Sequence, residues 1–220
     1  MGINMPIFPS RTLKPRKKRI VVRRRYHRWG NIVAVLAGLL GVLWSSLAAF
    51  AADVSGTITS NTTWSLAQSP FVVTSDVTVE SDATLTIEAG VVVYFGPGKN
   101  LIIKNGALQA SGTAATPILF TSSMDQGSSI PAAGDWGALR FLPGTFDAMT
   151  RLEYAQVQYG HGIMIQEASP TLNYVTLVNN AGAAISVDLQ SSPVGEGLQA
   201  SGNGMNGILV PAGDLQAQVV

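Results

Sequence analysis

From Val77 to Phe120 the chain is a succession of apolar runs of three to five residues, none of them long enough for a helix. They are Val77-Thr78-Val79, Leu85-Thr86-Ile87, Val91 to Phe95, Leu101-Ile102-Ile103, Ala107 to Ala110 and Ile118-Leu119-Phe120. Turn formers separate them at Glu80-Ser81-Asp82, Glu88-Ala89-Gly90, Gly96-Pro97-Gly98, Asn105-Gly106 and Ser111-Gly112, so each run reads as a short strand. The segment also repeats itself: Leu85 and Leu108 stand 23 positions apart, and Val79 and Ile103 stand 24 apart.

Several short strands recurring every twenty-odd residues, with no helix between them, predict a β-solenoid. One coil cannot bury its own inner face. Stacked on the next at the inter-strand spacing of about 4.8 Å, its inward Val, Leu and Ile side chains join a continuous core, and backbone groups pair from coil to coil. The second half of the chain keeps the period. Leu152-Glu153-Tyr154-Ala155-Gln156-Val157 aligns with Leu172 to Leu177, and Gly162-Ile163-Met164-Ile165 aligns with Ala184 to Val187 and with Gly207 to Val210. Asn180 and Asn203 fall 23 apart at one turn; they are expected to form a structural ladder of stacked amides.

The formal charge of +1 conceals a polarised chain. Residues 1–30 hold ten of the 14 Lys and Arg and no acid, whereas all 13 Asp and Glu lie beyond residue 52 beside four basic residues, Lys99, Lys104, Arg140 and Arg151. Between the two lies an uncharged run from Asn31 to Ala52 that ends in Ala49-Phe50-Ala51. Basic residues, an apolar stretch and small residues at Ala49 and Ala51 are the pattern of a secretory signal cleaved after Ala51; residues 32–52 left uncleaved would instead be a membrane anchor helix. Either arrangement makes the export machinery a partner and places the β domain outside the cell or on its surface. The basic cluster Lys14 to Arg19 belongs to that signal, and no nucleic-acid partner is expected. The absence of cysteine excludes disulfides and thiolate chemistry.

Three segments follow: a signal or anchor at 1–51, an N-terminal cap at 52–70 over the first open edge, and the solenoid at 71–220, with roughly seven coils expected in the whole exported part. The run Thr84 to Val91, Pro117 to Ser122, Gly134-Asp135-Trp136-Gly137 and Leu152-Glu153-Tyr154 before Gly162-Ile163 together resemble secreted bacterial proteins of the pectin-lyase-like superfamily. That resemblance implies an all-β, single-stranded, right-handed parallel β-helix. It leaves activity open, because such relatives include polysaccharide lyases, glycoside hydrolases and surface proteins. After Val210-Pro211 the chain lacks the amphipathic closing segment usual in the family, which suggests the front part of a longer protein.

Few residues offer chemistry. The long break from Thr121 to Gly137 contains Asp125, Asp135 and Trp136; as a ligand site, Trp136 would be a stacking platform for a sugar with the two aspartates beside it. The competing and favoured expectation folds Trp136 back over the following strand. Asp147, Arg140 and Arg151 form the best enzymatic group, although an Arg and an Asp in a surface loop usually make a solvated pair of little consequence. A glycosidase would need two carboxyls roughly 5–10 Å apart, and the alignment sets Glu153 over Asn173 and Asp188 over Gln166, neither of them a pair. His161, between Gly160 and Gly162, has no second His or Cys for a transition metal. No cofactor and no metal are expected. The leading expectation is a non-enzymatic surface or adhesion module that binds polysaccharide or cell-surface glycan; the alternatives are a lyase or hydrolase with catalytic coils largely outside this sequence, and a plain spacer.

Overall fold

The computed structural model describes residues 51–127 and 129–212. The chain divides into two units, 1–47 and 48–220, and the described residues belong to the second. The expected signal helix, with Ala49, lies outside them. Ala51 is exposed just ahead of the first strand. No helix among the described residues is long and apolar enough to cross a membrane.

In chain order the strands are β1 (Ala52–Ile58), β2 (Thr62–Trp64), β3 (Phe71–Val79), β4 (Thr84–Ile87), β5 (Val92–Phe95), β6 (Leu101–Ile103), β7 (Ala107–Ser111), β8 (Ile118–Ser122), β9 (Leu139–Phe141), β10 (Arg151–Gln158), β11 (Ile163–Ile165), β12 (Thr171–Val178), β13 (Ala183–Val187), β14 (Val194–Glu196), β15 (Gln199–Ser201) and β16 (Met205–Leu209). Each pairs in parallel with strands of the neighbouring coils, so that about seven turns wind into a right-handed solenoid. The hand is the one a right-twisted strand takes when it must return parallel to itself. Apart from strands, the described residues contain three single turns of 3₁₀ helix, at Leu66–Gln68, Ser123–Asp125 and Asp147–Met149.

The pairing defines three faces. Face I stacks β2, β4, β7, the first halves of β10 and β12, and β14. Face II stacks the first halves of β1 and β3, then β5, β8, the second halves of β10 and β12, and β15. Face III stacks the second halves of β1 and β3, then β6, β9, β11, β13 and β16. The repeats read from the sequence are in register: Leu85 faces Leu108, Val79 faces Ile103, Leu152 faces Leu172, and Ile163 lies between Leu139 and Ile185.

Alternation within each strand, the period of two dictated by the pleat, sends one set of side chains inward. Phe71, Val93, Phe120, Val157 and Leu177 form one buried column on face II, and Leu101, Leu139, Ile163 and Ile185 form another on face III. Residues 52–70, expected as a separate cap, instead contribute β1 and β2 as the first edge of the stack itself, in register with β3 and β4.

The corners explain why the faces hold their angles. Between faces I and II a single residue turns the chain, and Tyr154, Tyr174 and Gly197 occupy that position in successive coils with φ of 45°, 53° and 65°. The left-handed region is costly for a non-glycine residue; here the two rings stack at 4.6 Å with 9° between their planes, which offsets part of that cost. Between faces II and III the ladder expected of Asn180 and Asn203 is present. Asn180 Oδ1 accepts from Gly160 N at 2.9 Å, its Nδ2 donates to Val157 O at 3.0 Å and to Asn203 Oδ1 at 2.8 Å, and Asn203 Nδ2 donates to Leu177 O at 2.8 Å. Asn180 is wholly buried, and these bonds are what make its burial tolerable.

Candidate functional site on the outer face

The long insertion between β8 and β9 packs back onto the solenoid. Trp136 is fully buried, stacks on Phe95 at 4.1 Å and 12°, and donates its indole N–H to Gln158 O at 2.8 Å. A Cβ on Gly160 would lie 2.5 Å from Trp136 Cε2, so only glycine there admits the ring. Trp136 is therefore core and has no face free for a sugar. Asp125 and Asp135 hold the same insertion in place. Asp125 Oδ2 accepts from Thr121 Oγ1 at 2.9 Å and Gln158 Nε2 at 3.0 Å, and Asp135 Oδ2 accepts from Ser122 Oγ at 2.8 Å and Ala132 N at 2.9 Å. Burial and, second to it, the Asp125 carboxylate push the Tyr94 phenol above the ordinary tyrosine range.

The enzymatic group proposed from sequence does not assemble. Arg140 points outward from face III, in register with Ile102 and Met164. Arg151 is exposed on face I between Gln109 and Thr171. The chain rounds a corner of the solenoid between them, and that corner contains Asp147, whose Oδ1 accepts from Ser169 N at 2.7 Å. Proximity in sequence misled because the two arginines belong to different faces.

What the fold does bring together is Arg140 and His161. Both line a groove of about 430 Å³ on face III, with Asn100 at one end, Met164 and Ser186 along the outward column, and Leu209 at the other end. His161 lies in the corner turn one coil beyond Arg140. Its Nδ1 stands 2.9 Å from Trp136 O; since a carbonyl only accepts, Nδ1 carries the proton and Nε2 is left for other partners. Asn100 is fixed by the coil before it, its N–H and Nδ2 donating to Asp76 Oδ1 while its Oδ1 accepts from Ala138 N. The signal that could have found this pair was present in the coil register: Leu139 to Ile163 is one coil, which sets His161 just ahead of the strand next to Arg140.

The family model for a pectate-lyase-like β-helix domain matches residues 56–206. The chain belongs to that family. The matched stretch runs from the middle of β1 into β16, so this β-helix is covered across all three faces and the groove on face III lies within the match. No curated protein and no solved structure matches it. Among the described residues no group of three His, Cys, Asp or Glu is placed to hold a metal.

A second arrangement became visible only with the structure. The outward column on face I runs Ser111, Glu153, Asn173, Glu196, so two carboxylates share one column with an amide between them. Each is engaged: Glu153 Oε2 accepts from Ser111 Oγ at 2.9 Å, and Glu196 Oε1 accepts from Tyr174 Oη at 2.9 Å. That hydrogen bond, and then the Glu196 charge, hold the Tyr174 phenol above its usual range.

Proposed function

We propose that this β-helix is an exported surface module that binds a glycan in the lateral groove on face III without cleaving it. The observation that carries the reading is the groove itself, an outward recess with a guanidinium, an imidazole, an amide and a hydroxyl set among apolar walls, the mixture typical of sites that orient a small ligand. The outward carboxylates support the binding half of the reading. Glu153, Glu196, Asp125, Asp135 and Asp147 each accept a hydrogen bond that holds a turn or a corner, which employs them in structure rather than as an acid/base pair. The basic and apolar residues before Ala52 support export.

The test is a glycan array probed with the full chain, run beside a depolymerisation screen on the same polysaccharides. Expected are a retained ligand, loss of retention on Arg140→Ala, and no new reducing or unsaturated ends. Product release that disappears in Arg140→Ala or His161→Ala would sink the non-enzymatic reading. It would establish a polysaccharide lyase or hydrolase in its place, a reading favoured by one feature, the unengaged Nε2 of His161 in the same groove as Arg140.

A further inference from the structure

The groove on face III has an unbalanced charge. Arg140 and His161 line it, and no carboxylate does. Along its column Arg140 has Ile102 on one side and Met164 on the other, neither able to accept a hydrogen bond from nitrogen. Its Nε is buried without a hydrogen-bond partner. The acids of the neighbouring turns are employed elsewhere: Asp76 accepts from Asn100, and Asp135 from Ser122 and Ala132. A buried guanidinium N–H with nothing to donate to is costly, and a fold otherwise so thorough in pairing its polar groups leaves this one open toward a recess.

We propose that the groove is a binding site for an organic carboxylate, with Arg140 donating to the carboxylate, His161 and Ser186 beside it, and Met164 and Leu209 against the apolar side of the ligand. This rests on reading the groove as the ligand site and goes further by fixing the ligand's charge. The planar fork of arginine matches the two oxygens of a carboxylate. A neutral ligand could fill the recess but would bring no charge to oppose Arg140. A phosphate dianion would enter a lining that is mostly apolar and would give up more hydration than one guanidinium returns.

The full chain is titrated with sodium benzoate, with benzyl alcohol as its uncharged counterpart and with glucuronate as a carboxylate borne on a sugar. The readout is the ring resonance of His161, assigned by its loss in His161→Gln; the chain has only two histidines. Expected is a saturable shift with at least one of the two carboxylates, weakened about ten- to a hundred-fold in Arg140→Gln, partly restored in Arg140→Lys, and at least about tenfold weaker with benzyl alcohol. Far-UV circular dichroism confirms that each variant is folded. Saturation by glucuronate supports this proposal together with the glycan reading, whereas saturation by benzoate alone supports this proposal and removes the glycan. Binding by neither carboxylate, equal binding of benzyl alcohol, or unchanged binding in a folded Arg140→Gln overturns it.

Discussion

The middle coils and the last coil are built on one plan and differ in what lies beyond them. On face III, Ile163 and Ile208 occupy the same inward column, yet Ile163 is fully buried between Leu139 and Ile185 while Ile208 is 58% exposed. On face I the same column passes from Leu152 and Leu172 to Gly195, and on face II from Val157 and Leu177 to Ala200. The last coil thus carries smaller inward residues and leaves apolar ones such as Val194, 61% exposed, at the surface. The difference teaches that in this molecule a residue's contribution is set by the number of coils that enclose it and only secondarily by its own size, as expected for a stack whose stability is a sum over neighbouring interfaces.

That comparison can be broken by one pair of substitutions. Ile163→Ala removes a side chain enclosed from both sides and should cost about 2–5 kcal/mol in urea unfolding, the range for large-to-small changes in a closed core. Next in size is the corner ladder. Asn180→Ala leaves Gly160 N–H and Val157 O without their partners and should cost about 1–3 kcal/mol, with amide exchange accelerated first at Gly160. The smallest effect belongs to the end: Ile208→Ala, the same deletion in the same column, should cost less than about 1 kcal/mol. Equal costs for Ile163→Ala and Ile208→Ala would show that enclosure does not govern the stack.

Much of this fold is legible in the sequence, for a physical reason. Parallel stacking repeats the environment of Leu85 at Leu108, and of Ile163 at Ile185 and Ile208, so the same side chain serves at each step and the period appears as spacing. Asn180 and Asn203 are readable on the same ground. The register fails to show where two turns are inserted into one coil: Leu108 meets Thr150 at a separation of 42 residues, and no fixed period finds that pairing. Trp136 is ambiguous in sequence because exposed and buried aromatics in glycine-rich turns look alike; its partner Phe95 comes from the preceding coil. The groove was hidden because Arg140 and His161 follow different strands, and only the pairing of β9 with β11 puts them on one wall.

The corners between faces II and III vary from Thr74–Asp76 to the whole stretch from Ser123 to Ala138, yet the strands on either side keep their register. Length there is decoupled from the cross-section of the column. A foreign peptide spliced into such a corner would be displayed sideways from a rigid rod at a chosen height, in steps of one coil. The molecule is in that sense a graduated post on which new binding loops can be mounted without rebuilding what carries them.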